Sequence, residues 1–208
     1  MHFSLLLALC CILGASFALE VSRPRPGPSV KTQLELRQAY AAWWAEFDDL
    51  MVELGQEEAS EAEAREAIRA LFGRWWLPDG RLIFPMVGVD VTGVAAIVEV
   101  ALATVKKGLV GEYHTLSEPL PMVQDGNTVN ITARDTSHVI NKVTGLTSVY
   151  LGSKTFSFER QAGGCWLISQ ALFEVVAVVP VGPMVPYSRV TLPEQSEAIC
   201  HEKPNILF

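Results

Sequence analysis

The chain has 208 residues, half of them hydrophobic, and a net charge of −7. With a pI near 5.1 and no clustered Lys/Arg stripe to release counterions, it lacks the electrostatic footprint of a nucleic-acid binder. Beyond the leader no apolar run reaches spanning length, the longest being Val175 to Val179, so no stable membrane span is expected after leader removal.

Leu5 to Leu13 has the length of a signal-peptide core, and Ser16-Phe-Ala18 places small residues where a signal peptidase reads. Residues 1–18 are therefore read as a signal peptide, with the mature chain starting near Leu19 and bound for the secretory lumen or the exterior; an uncleaved anchor is the alternative. Residues 19–29 form a stiff linker, because the prolines of Arg23-Pro-Arg-Pro-Gly-Pro28 remove donors and force extended geometry. The rest of the chain suffices for one domain, 30–180, with a C-terminal extension over 181–208 that starts in proline-broken sequence.

Two cysteines remain after processing, Cys165 and Cys200. In an oxidising compartment they can close a loop of about 36 residues, worth roughly 2–4 kcal/mol; two separate thiols are the alternative. No histidine or cysteine partners stand at ligand spacing, so neither a metal nor an organic cofactor is expected. Asn130-Ile-Thr132 is an N-glycosylation sequon.

Along the chain, Thr32-x-x-Glu35 can cap a first helix in which Leu34, Tyr40, Phe47 and Met51 recur near helical spacing, ending around Gly55. Ser60-x-x-Glu63 opens a second, with Ala67, Ile68, Leu71 and Phe72 as its buried stripe. Pro78-Asp-Gly80 turns into a short strand, Arg81 to Phe84. Val94 to Lys106 reads as a third helix, stopped by Gly108. Strands occupy 112–123, 127–140, 147–160 and 165–179, the last two joined by Gln161-Ala-Gly-Gly164 as a hairpin. The order is α-α-β-α-β-β-β-β, an α+β class.

Strand parity separates two histidines. From Val129 to Val139 the odd positions are mostly apolar and the even ones polar, so His138 is expected to face outward. Asp135 breaks the apolar parity, and a carboxylate there must be paired, catalytic or beyond the regular strand. With Asp125-Gly126 as a two-residue turn, 116 opposes 135 and His114 lies diagonal to Asp135 on one face. A bulge at Pro119 or Pro121 would break that register.

Four segments in this order, Trp76-Leu-Pro-Asp-Gly-Arg-Leu-Ile-Phe84, Gly93-Val-Ala-Ala-Ile97, Glu112-Tyr-His114 and Arg160-Gln-Ala-Gly-Gly-Cys-Trp166, resemble the SnoaL-like branch of the nuclear transport factor two-like superfamily. The resemblance covers about residues 30–180. It implies a cone: helices packed in the concavity of a strongly curved, mostly antiparallel sheet enclosing one apolar pocket. It also implies His114 as a proton-moving residue, since dehydratase-like relatives carry a histidine there, and it allows two copies to join through the sheet. Tyr40 fits the first-helix tyrosine of those enzymes, but Trp43 and Trp44 stand where their acid is expected. Trp44, Trp76 and Tyr150 are candidate pocket walls, and Lys154 is a further candidate beside the general expectation that a strand lysine snorkels to solvent.

Two readings stay open. One is a secreted container for a small hydrophobic molecule. The other is a dehydratase-, isomerase- or cyclase-type enzyme acting on a small carbonyl or hydroxylated ring compound, with His114 as acid or base, Asp135 orienting it and Tyr40 donating to an oxyanion.

Overall fold

The structure is a computed structural model that describes residues 27–56, 59–107, 109–116, 120–141 and 144–183, by backbone alone at 56, 109–116, 135 and 181–183. Helix α1 spans Val30–Gln56 and α2 spans Glu61–Trp75; strand β1, Trp76–Phe84, leads through a 3-10 turn at Pro85–Val87 to β2, Val89–Thr92. Helix α3, Val94–Lys106, is followed by β3 (Leu109–Leu116), β4 (Met122–Asp125), β5 (Thr128–Asn141), β6 (Leu146–Arg160) and β7 (Trp166–Pro183).

The helix boundaries follow local chemistry. Ser60 accepts from the Glu63 amide while the Glu63 carboxylate accepts from the Ser60 amide, so the predicted capping box opens α2. On α1 the hydroxyl of Ser29, not Thr32, takes the cap: Thr32 N donates to Ser29 Oγ at 3.2 Å, and the helix begins one turn early. The buried face of α1 is accordingly Leu36, Ala39, Tyr40, Trp43, Trp44 and Met51, whereas Leu34 is exposed. Helix α3 has the predicted bounds.

One seven-stranded sheet runs β2-β1-β7-β6-β5-β3, with β4 also paired to β5. Only β1 and β7 run parallel. The expected strand over 112–123 is two strands, β3 and β4; Pro121 has no N–H to give the ladder, although its carbonyl still accepts from Thr132 N at 3.1 Å. Strand β2 was not expected; its four residues give too short a pattern to read. The Pro78-Asp-Gly80 turn lies inside β1 as a register shift between Trp76 and Arg81, and β7 continues through Pro180 to Pro183.

The core lies between the helices and one face of the sheet. On that face Val129, Ile131 and Ala133 of β5, Phe156 and Phe158 of β6, and Ile168 and Ala171 of β7 are all fully buried. Trp43 packs edge-on to Phe72, Trp75 and Trp76. The indole N–H groups of Trp43 and Trp76 are buried without a hydrogen-bond acceptor among the described residues; such edge-to-face packing supplies ring faces as weak acceptors. Among the described residues no helix is long and apolar enough to cross a membrane.

Candidate functional site

The β3–β5 register decides which predicted residues share a face. His114 stands opposite Ser137 and Leu116 opposite Asp135, pairs that sum to 251 as expected. The turn itself differs: Asp125 pairs with Thr128, so Gly126-Asn127 makes the two-residue loop, with Gly126 at φ 61°. That turn alone gives pairs summing to 253, as Met122 with Ile131. Two extra residues between Leu116 and Met122 restore 251, so the proline-containing segment shifts the register without exchanging the faces.

His114, Ser137 and Tyr150 therefore form one cross-strand row, with Leu116, Asp135 and Gly152 in the next. Ala133, Lys154 and Phe173 make the third. These rows share the parity of the buried residues Ala133, Ser137 and Val139. His138 has the opposite parity, pairing with Tyr113 and Val149, and is half-buried.

Lys154 is the unexpected member. It is 6% exposed, and it is the one charged side chain buried among the described residues. Its Nζ donates to Ser137 Oγ at 2.7 Å and sits 4.2 Å over the Trp44 ring and 5.0 Å over Phe173. Burying a cation is costly unless hydrogen bonds and electron-rich ring faces replace water, and both are present here. Tyr40 stands edge-on to Trp44 and, at 5.3 Å between ring centres, to Phe156. One α1 turn thus supplies Tyr40 and Trp44, β5 supplies Ser137, and β6 supplies Lys154.

Beyond Lys154 the inner face opens. Gly152 contributes no side chain, Tyr150, Phe173 and Val175 are half-buried, and Val178 is 43% exposed. Glycine is required at 152, because a Cβ there would collide with the Glu174 carbonyl oxygen and lie 2.9 Å from Val175 Cα. The register shift between Leu151 and Gly152 brings these two backbones together beside the lysine.

Of the predicted site residues, the structure brings together Tyr40, Trp44 and, by register, His114, Asp135 and Tyr150. Trp76 belongs elsewhere: its ring neighbours are Trp43 and Phe72, on the helix side of the core. Asn130 Oδ1 accepts from Ser157 Oγ at 2.7 Å, on the outer parity of β5. Cys165 is half-buried before β7 and is not a free thiol, whereas Cys200, like the signal peptide, lies outside the described residues. No cluster of three metal-ligating side chains occurs among the described residues.

No family model matches the chain, and no curated protein matches it. Solved structures do. A nuclear transport factor 2-like superfamily protein from Salmonella enterica superposes with a TM-score of 0.55 at 14% identity, covering 81% of this chain and all of that one. A hexachlorocyclohexane dehydrochlorinase from Novosphingobium barchaimii gives 0.54 at 13% identity, over 76% of this chain and 97% of its own. A ketosteroid isomerase-like protein from Erwinia carotovora gives 0.53 at 16%, over 72% and 99%. At these identities the likeness is one of fold alone: the chain shares its α+β cone with a nuclear transport factor 2-like protein and with a hexachlorocyclohexane dehydrochlorinase. Fold alone does not select a reaction.

Proposed function

We infer that the protein is a secretory-pathway container that holds one small hydrophobic molecule in the open half of its cone. The observation that carries this reading is the change along the inner face, from fully buried Phe156 to half-buried Tyr150 and exposed Val178. An apolar recess lined by aromatic rings and ended by a few polar groups is the usual form of a small-molecule site. Its setting is the signal peptide over 1–18, a Cys165–Cys200 bridge, a sugar on Asn130 and a contact between two copies across the sheet. Native mass spectrometry of the secreted chain with a panel of neutral naphthyl and alkyl amides is expected to give complexes of one ligand per chain. A panel with no such complex would overturn the reading.

A second reading is favoured by one specific observation: the register sets His114 opposite Ser137, with Asp135 at the next position of the same parity. On this reading His114 moves a proton to or from the bound ring compound, Asp135 orients it and Tyr40 donates to the developing oxyanion. His114→Ala is then expected to lower turnover of a captured ligand by about 10²–10⁴-fold, while His138→Ala, on the other parity, leaves it unchanged. Indifference to both changes leaves the container reading alone.

A further inference from the structure

The glycosylation sequon Asn130-Ile-Thr132 does not lie on a loop, where such acceptors normally sit. It occupies the middle of β5, paired on one side to Val123 and Met122 of β4 and on the other to Ser157, Phe156 and Thr155 of β6. Both side chains that define the sequon are engaged with β6. Asn130 Oδ1 accepts from Ser157 Oγ at 2.7 Å, and the hydroxyls of Thr132 and Thr155 are 3.0 Å apart. Between them Ile131 is fully buried, and Thr132 N donates to the Pro121 carbonyl at 3.1 Å.

N-glycosylation joins the asparagine amide nitrogen to the anomeric carbon of a sugar carried on a lipid-linked diphosphate. The N–C bond forms as the bond from that carbon to the diphosphate oxygen breaks; the diphosphate leaves with the electron pair, and one Nδ2 proton passes to a base of the transferase. The transferase must reach Nδ2 and the threonine hydroxyl together, on a chain free to enter its active site. In the closed sheet that freedom is missing. Drawing out 130–132 would break the ladders to β4 and β6 and expose Ile131, and opening a central strand is among the costliest local motions of a fold. A sugar already in place is tolerated, because the bond to Ser157 uses Oδ1, which an N-linked amide keeps, and Asn130 is half-buried on the outer parity of β5.

Resting on the secretory setting and the Asn130 sugar given above, we propose that Asn130 is modified only before β6 pairs with β5. Sugar transfer then competes with closure of the sheet, and the chain leaves as two stable forms, one glycosylated and one bare. Ser157 follows Asn130 by 27 positions, which synthesis at about 5–20 residues per second delivers in roughly 1–5 s. The arrival of β6 closes the window that opens when β5 is made.

The test expresses the full mature chain in eukaryotic cells behind a cleavable secretion leader in place of residues 1–18, so that the native leader does not decide the outcome. Occupancy is read as the mass that an N-glycosidase removes from the total cell and medium protein. Phe156 has no solvent exposure and pairs with Ile131, and a lone carboxylate cannot be buried there. Phe156→Asp therefore keeps the sheet open while leaving the sequon and its outer-face partners unchanged. The wild type is expected to be partly occupied, and the ratio of bare to glycosylated chain is expected to fall at least about tenfold in Phe156→Asp. Loss of trypsin resistance establishes that the variant is unfolded; should it still fold, the double change Phe156→Asp with Phe158→Asp decides. Thr132→Ala should abolish the sugar in either background, and a sugar that persists would place it elsewhere than Asn130. Full occupancy of both wild type and open variant would overturn the competition alone. No sugar on either would overturn the Asn130 assignment with it, whereas the container is judged separately by its ligand panel.

Discussion

From Val129 to Ala133 the inward positions of β5 are apolar, and with Phe156, Phe158, Ile168 and Ala171 they are fully buried. A few residues further along the same strands, the positions of the same parity are Asp135, Ser137, Gly152, Tyr150 and, across the ladder, His114. The two halves share one backbone geometry and one set of hydrogen-bonded ladders. They differ in what those ladders present. The near half is closed by the aromatic residues of α1 and α2, whereas on β6 and β7 the far half, at Tyr150, Gly152 and Val175, is left half-buried. A closely packed half and a half-buried one thus lie along single strands, and Lys154 stands at the boundary, one inward position from Phe156.

The largest expected effect breaks the near half. Phe158 has no solvent exposure, and Phe158→Ala removes its buried area and leaves a cavity, costing about 3–5 kcal/mol. For a chain of this size that lowers the midpoint by roughly 10 °C. Val178→Ala, at the open end, should change the stability by no more than about 0.5 kcal/mol. Thermal melts showing equal losses would mean that the far half is packed like the near half.

A smaller effect tests the boundary. Gly152→Ala forces a Cβ against the Glu174 carbonyl and Val175 Cα, and overpacking of that kind costs about 1–3 kcal/mol. Denaturation midpoints unchanged by the substitution would show that the bulge can open, and that the close approach of β6 and β7 at Gly152 is not rigid.

Much of the scaffold was legible because its signals are local. Gly93, at φ 90°, and Lys106 bound α3 as read, and Ser60 with Glu63 close their capping box within four residues. The odd–even alternation of β5 assigned Ser137 and His138 to opposite faces without knowledge of the partner strands. What escaped depends on distant chain. Ser29 and Thr32 are both good caps, and only the packing of α1 selects the first. The turn at Gly126-Asn127 was misplaced by one, yet the expected pairing of His114 survived, because the segment before Pro121 displaces the register by two. Lys154 was weighed against snorkelling to solvent; its burial depends on Trp44, which is 110 positions earlier in the sequence and leaves no local mark.

The smallest expected effect lies outside the comparison altogether, on the helix surface. Arg65 of α2 binds Glu99 of α3 through Nε at 2.8 Å and through a second nitrogen at 3.2 Å, and it also meets Glu61 at 2.8 Å. Lys106 reaches Glu61 at 2.7 Å. The bond from Lys106, then that from Arg65, holds the Glu61 carboxyl below its ordinary range, and Arg65 does the same for Glu99. A carboxyl with a lowered folded-state pKa contributes stability that is present above the unfolded value of about 4.3 and is lost as pH falls through the folded one. All four groups are solvent-exposed, so salt screens the contribution. Arg65→Gln is accordingly expected to lower the melting midpoint slightly at pH 7 in low salt, and the gap from wild type should close as the solution is acidified below the carboxylate range or brought to high salt. A gap that persists in acid would mean that Arg65 acts by packing its stem between α2 and α3 rather than by its charge.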